Sequence, residues 1–220
     1  MIVAVMVPAQ DSVSAMFAHD LARMTAYVAQ RQPDVELKLM FSLGSALPDQ
    51  RESLLDAALM TGADAMLFLD SDMRFPADTL ERLLAHDKPF VATNYTQRKP
   101  PFRPVAHTGH DYVYTTPDSP ALEDLGEHGR TGLGVALVRR AAVALLERPY
   151  FMIGWDLDGK RFVLEDAYFM AKLRAAGVPL LLDHNLSDEL GHMGIFEYLS
   201  AHAVRAAERA RGPKIEVVRA

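Results

Sequence analysis

An unbroken apolar run, Ile2–Val7, opens the chain, and the same pattern returns at Ala65–Leu69 and Val178–Leu182. Short runs without polar alternation predict strands buried on both faces, as in a parallel sheet. After the first run the period changes. Val13, Met16, Phe17, Leu21, Met24 and Val28 share one face of a helix. Glu36–Phe41 predicts a second strand. Asp49 and Glu52 offer a capping box for a helix carrying Leu54, Leu55, Ala58 and Leu59. Past the third strand, Pro76 opens a helix with Leu80, Leu83 and Leu84 inward, and Phe90–Tyr95 predicts a fourth strand. Strands alternating with helices over short connections predict an α/β architecture, a mostly parallel central sheet flanked by helices.

The pattern then breaks. Thr96 to Arg130 holds Pro100, Pro101, Pro104, Pro117 and Pro120 out of 13 prolines. It reads as a long irregular excursion with one short strand near Tyr112–Thr115, and long loops in compact domains are often functional. Regularity returns with a strand over Gly132–Val138 and a helix over Ala141–Glu147. Trp155–Phe162 predicts a hairpin turning at Asp158-Gly159. An amphipathic helix, Leu164–Ala176, is closed by Gly177. A polar loop, Asn185–Gly194, precedes a final helix from Phe196 to Arg211. Met16, Met24, Met40, Met60 and Met66 read as core filling.

Composition narrows the function classes. The 220 residues are 50% hydrophobic and 24% charged, the balance of one globular domain. A net charge of −6 without a basic block disfavours a nucleic-acid partner. Zero cysteines exclude disulfides, thiolate metal sites and cysteine nucleophiles. No apolar run is long enough for a transmembrane segment, and the first run reads as a strand, so a cytoplasmic protein is expected. A lipid acceptor would have to be met at a membrane surface or through a partner. Arg205, Arg209, Arg211 and Lys214 could lean on such a surface, although Glu208 among them fits a solvated face better.

Three acidic or histidine clusters could carry chemistry. Asp70-Ser71-Asp72 leaves the third strand at its carboxyl end, where open α/β sheets bind ligands. Two carboxylates so close repel, and a divalent cation relieves that cost. Solvated acids in a strand-to-helix turn are the plainer reading of the same residues. Glu165-Asp166 open a helix, where the dipole alone favours acids, or where one could be a general base. His192 lies between Gly191 and Gly194 and is either a surface hydrogen-bonder or a metal ligand. His107, His110 and His184 have nothing specific around them.

In this order and spacing the clusters resemble those of the GT-A glycosyltransferases, particularly the family 2 type. Asp70-Ser71-Asp72 resembles their DxD motif, Glu165-Asp166 their ED motif, and His192 a late metal-binding histidine. Gln50-Arg51-Glu52-Ser53 resembles the Arg-Asn stretch before the DxD, and Thr131-Gly132-Leu133-Gly134 a glycine-containing acceptor loop. The resemblance covers Val3 to about Gly194. It implies residues 1–95 as a nucleotide-sugar-binding half, 96–195 as an acceptor-side half with mixed strands, and 196–220 as a C-terminal helix and tail.

It further implies Mn²⁺ or Mg²⁺ held by Asp70, Asp72 and His192, with the cation offsetting charge on the leaving nucleoside diphosphate. Asp166 would activate the acceptor hydroxyl, supported by Glu165. Arg51 and Asp70 would contact the donor, with Arg98 a further diphosphate candidate and Asp11 a candidate for the base. The donor would be a UDP- or GDP-sugar, since Ser42-Leu43-Gly44-Ser45 lacks the uracil-reading acid of many family members. The acceptor would be a saccharide, a lipid-linked group or another hydroxyl compound. No QxxRW motif is present, which implies single addition.

Other readings stay open. A haloacid-dehalogenase-like phosphatase also carries an apolar strand and DxD, echoed by Asp70-Ser71-Asp72 and Asp156-Leu157-Asp158-Gly159. A nucleotidyltransferase is disfavoured by Val7-Pro8-Ala9-Gln10-Asp11, which lacks the basic glycine-rich loop. A nucleotide-sugar-binding protein without catalysis would bind nucleotide and metal yet never turn over a donor.

Overall fold

The computed structural model describes residues 1–98, 100–156 and 159–194. Eleven strands and six helices are defined among them. The four expected strands form as β1 (Ile2–Ala9), β2 (Glu36–Leu43), β3 (Ala65–Leu69) and β5 (Phe90–Thr93), with β2 a partly exposed edge strand and the two-residue β4 (Met73–Arg74) after β3. Helix α1 (Ala15–Arg31) is capped by Ser14, whose side chain accepts from the Met16 N–H. Helices α2 (Leu47–Met60) and α3 (Thr79–Ala85) complete the first half.

The second half supplies β6 (Leu122–Asp124), β7 (Val135–Arg139), the short helix α4 (Arg140–Val143), and the hairpin of β8 (Gly154–Asp156) and β9 (Arg161–Val163). It ends with α5 (Glu165–Ala175), β10 (Leu181–Asp183), α6 (His184–Ser187) and β11 (Gly191–His192).

Seven strands make the central sheet in the order β2-β1-β3-β7-β5-β10-β6. Five run in one direction, while β7 and β6 are antiparallel to their neighbours. Alternation along β1 feeds both faces. Ala4 and Met6 pack against α2 and α5, and Val3, Val5 and Val7 against α1 and α3.

Several local expectations are corrected. Glu52 does not close a capping box, because its carboxylate accepts from the Tyr150 and Phe151 N–H groups instead. Helix α2 therefore starts earlier, with Pro48 in its first turn and no side-chain cap. Met16 and Met60 are 44% and 88% exposed, so they are surface residues and not core filling. Tyr112–Thr115 forms no strand. Tyr112 makes a single bridge to His107, and the excursion contributes its strand later, as β6. Asn185–Gly194 is more ordered than a loop, holding the end of α6 and β11. The predicted helix Phe196–Arg211, with Arg205, Arg209 and Arg211, lies outside the described residues, as does Lys214.

An aromatic cluster ties the sheet to α5. Phe151 stacks on Phe169 at 4.7 Å between centroids, and Phe68 meets both edge-on at 5.8 Å. Such contacts contribute about 0.5–1.5 kcal/mol each beyond area burial. Phe68 precedes Asp70 by two residues, and Phe169 follows Asp166 by three. The cluster thus fixes the two acidic segments relative to each other.

Candidate functional site

The carboxyl ends of β1, β3 and β5 share one edge of the sheet, and the antiparallel β7 begins there. This edge collects Asp70, Asp72, Tyr95, Gly132 and Gly134. The Asp70 N–H donates to the Gly134 carbonyl at 2.9 Å, anchoring the first acid of the pair. His192 is delivered by a separate device. Strand β11 pairs with β4, setting His192 opposite Met73, and the Met193 N–H donates to the Asp72 carbonyl at 2.8 Å. The neighbouring glycines make that approach possible. A Cβ at Gly191 would meet the Arg74 Cβ at 3.1 Å, and one at Gly194 would meet Arg98 at 3.0 Å.

Asp72 and His192 face each other, with the Nε2 to Oδ2 distance 3.6 Å. The His192 Nδ1–H donates to the Thr96 carbonyl at 2.8 Å, which leaves Nε2 directed at the carboxylate. Arg98 donates to the same Oδ2 at 2.5 Å. The other carboxylate oxygen, Asp72 Oδ1, is buried and accepts no hydrogen bond from the described residues. Burial works against the Asp72 charge, but the His192 bond and the Arg98 charge win and hold its pKa below the ordinary value. Burial likewise lowers His192, yet the bonds to Asp72 and Thr96 outweigh it and raise its pKa.

Asp70 turns away from this pair. Arg51, 3% exposed at its side chain, donates to Asp70 Oδ1 at 2.8 Å and to Glu165 Oε1 at 2.6 Å. Burial alone would depress the guanidinium, but Asp70 and Glu165 together hold its pKa above the ordinary value. Arg51 is thus a buried strut between the DxD segment and α5, with its two terminal nitrogens engaged by Asp70 and Glu165. Among the described residues, no three histidine or acidic side chains converge as a ready-made metal cage. Two of the three expected ligands are together, and Asp70 is not with them.

The donor set nonetheless fits a hard divalent cation. Asp72 offers a buried oxygen without a partner, and His192 presents the nitrogen whose tautomer its bond to Thr96 sets. Mg²⁺ and Mn²⁺ commonly take one or two protein ligands and complete their shell with phosphate and water.

Glu165 and Asp166 open α5 side by side. Glu165 is buried, and burial outweighs the pull of Arg51 to raise its pKa. Burial also raises Asp166, against the opposing charge of Arg51. Asp166 lines a cleft of about 440 Å³ with Tyr95, Gln97, Arg130, Gly132 and Phe162. A carboxylate poised above its usual range, on an open cleft, suits proton abstraction.

Tyr95 is the residue sequence reading missed. Its hydroxyl accepts from the Gly134 N–H at 3.0 Å, and its ring meets His192 edge-on at 5.0 Å. Burial, reinforced by the Asp70 charge, raises its pKa, so the phenol stays protonated. The glycines of Thr131-Gly132-Leu133-Gly134 exist for this ring. A Cβ at Gly132 would lie 2.0 Å from the Tyr95 hydroxyl, and one at Gly134 would lie 2.7 Å from Cζ.

The remaining candidates separate. Asp11 is exposed just past β1, and its carboxylate accepts from the Ser12 hydroxyl at 3.1 Å. His184 is buried between Thr115 and Glu123, at 2.9 and 2.8 Å, and is structural. His107 and His110 line a different cleft from His192. Asp156 sits on β8 and pairs with Arg161 at 3.4 Å, while Asp158 lies outside the described residues.

No protein-family model and no curated protein sequence matches the chain. Solved structures do. A197 from STIV superposes at TM-score 0.54 with 17% identity, over 90% of this chain and 99% of that one. S. aureus TarS 1-349 matches at 0.47 and 15%, over 83% and 58% of the two chains. A glycosyltransferase involved in the glycosylation of the major capsid of PBCV-1 matches at 0.45 and 13%, over 96% and 100%. At these identities the likeness to A197 establishes the fold alone. That fold is the GT-A-like α/β architecture, a mostly parallel sheet flanked by helices with small accessory sheets. No helix among the described residues is long and apolar enough to cross a membrane.

Proposed function

We propose that the chain is a glycosyltransferase that moves a sugar from a nucleoside-diphosphate sugar, UDP- or GDP-linked, to an acceptor hydroxyl, one residue at a time. One observation carries this reading: a buried Asp72 oxygen without a partner among the described residues lies beside His192, with Arg98 on the same carboxylate. Asp72 and His192 would hold Mn²⁺ or Mg²⁺, which when bound offsets charge on the departing diphosphate. Asp70, expected in the same role, instead fixes the segment through Arg51.

The chain's own residues supply the rest. Arg98 adds a half-exposed positive charge beside Asp72 and can exchange that partner for a phosphate oxygen. Asp166 accepts the proton of the attacking hydroxyl, and burial raises its pKa and so makes it a stronger base than an exposed carboxylate. Glu165 and Arg51 keep Asp166 in register with the DxD segment. Tyr95, protonated and wedged against two glycines, closes the floor between the donor and acceptor sides.

The test is turnover. Incubation with a panel of UDP- and GDP-sugars and Mn²⁺ is expected to release nucleoside diphosphate from one base only. Asp166→Asn should lower transfer by 10²-fold or more, the order of a general base, while nucleotide binding persists. Equal release by wild type and Asp166→Asn, or none from any donor, would refute the reading.

A further inference from the structure

Beside the Asp166 cleft lies a second one, of about 400 Å³, walled by Arg130, Arg161, Arg174, His107, His110 and His128. The two adjoin across His107, Arg130 and Ala167, which line both, and Asp166 lies on the far side of that boundary. In a chain of net charge −6, this concentration of cations is local and has to be explained locally.

The acids nearby only partly offset it: Asp166 acts on Arg130 and Glu127 on Arg174 through space, without a direct ion pair to either among the described residues. Arg161 pairs with Asp156 at 3.4 Å. Arg130 turns its Nε to His107, and Arg174 donates to the Gly129 carbonyl, both of them uncharged partners. Neither forms an ion pair with a carboxylate among the described residues. His107 remains neutral, pushed down to about 4 by burial and then by the surrounding arginines. Three guanidiniums that cannot lose their protons are therefore held together, with one paired carboxylate among them in the described residues. Mutual repulsion makes such an arrangement costly unless an anion sits among them, and the planar forks match phosphate oxygens in pairs.

We propose that this basic cleft holds a phosphate group of the acceptor, with the hydroxyl to be glycosylated extending past Arg130 to Asp166. The assignment of the anion as part of an acceptor rests on the transferase reading above. The phosphate could belong to a small polyol phosphate or to a lipid headgroup, and both present the same group to the cleft.

Calorimetric titration with glycerol phosphate tests it, with glycerol as the uncharged control and equimolar phosphatidylcholine–phosphatidate vesicles as a separate arm. Wild type is expected to bind glycerol phosphate saturably and glycerol not at all. The Arg161→Gln/Arg174→Gln variant should bind at least tenfold more weakly, with Mn²⁺–UDP and Mn²⁺–GDP binding unchanged. Arg161→Glu serves as a second variant, because that side chain is 61% exposed and its replacement spares the core. Vesicle binding that the variants lose, without binding of soluble phosphate, would assign the anion to a lipid. Equal affinity in wild type and variants, or no binding in either arm, would overturn the proposal. Loss of nucleotide binding in wild type would sink the transferase reading and with it the acceptor role. Glycerol phosphate binding lost in the variants would then still establish an anion site.

Discussion

Replacing Arg51 by methionine should cost more than any single surface change in this protein. The side chain is buried and donates two charge-assisted hydrogen bonds, to Asp70 at 2.8 Å and Glu165 at 2.6 Å. Methionine keeps much of the volume and removes the charge. It leaves Glu165 buried without its cation, and breaking a buried pair in this way costs about 3–5 kcal/mol. For a domain of this length each kcal/mol lowers Tm by about 2–4 °C, so a fall of roughly 6–20 °C is expected. Circular-dichroism melts of wild type, Arg51→Met, Glu165→Gln and the double variant form a complete cycle. The double variant should recover part of the loss, since its second change removes the stranded carboxylate. A cost within about 1 kcal/mol for Arg51→Met, the range of an exposed ion pair, would refute the strut.

Two further predictions follow from the same edge of the sheet. Gly132→Ala places a methyl 2.0 Å from the Tyr95 hydroxyl and should destabilise by about 1–3 kcal/mol, read from a urea melt; no change would mean that Tyr95 is not seated there. Asp166 has a folded pKa raised above its unfolded value by burial, so its contribution is fully present below the ordinary carboxylate range and is lost as pH rises through the folded pKa. Asp166→Asn should therefore melt higher than wild type at pH 8, with the difference shrinking towards pH 4; a difference that grows on acidification would contradict the sign.

Periodicity made the buried strands legible because a parallel strand covered on both faces has no polar alternation to confuse it. It could not reveal that β7 inserts antiparallel between β3 and β5, since a hydrophobic run carries no direction. Strand β6, Leu122-Glu123-Asp124, is a polar edge strand and gives no apolar signal at all. At the site, the fold brings Asp72 and His192 within 3.6 Å of each other and sets Asp166 on a cleft. The strut was readable in principle: Arg51, Leu54, Leu55 and Ala58 lie at i, i+3, i+4 and i+7, one face of α2. A charge on that apolar face requires buried partners. Tyr95 had no such marker, because its requirement for glycine at 132 and 134 is a contact across 37 residues or more. The basic groove was equally hidden. Arg130, Arg161 and Arg174 are far apart in the chain and converge only when β9 and α5 fold against the excursion.

The measurement that bears most directly on the account is a thermal-shift panel of UDP, GDP, CDP and ADP, with and without Mn²⁺, on wild type and Asp72→Asn. One diphosphate, with metal only, should raise the wild-type Tm, because ligand at 100-fold its Kd stabilises the native state by about 2.7 kcal/mol. Asp72→Asn should lose that shift while melting normally without ligand. A shift that persists in Asp72→Asn, or the absence of any metal-dependent shift, would contradict a donor site built on Asp72 and His192.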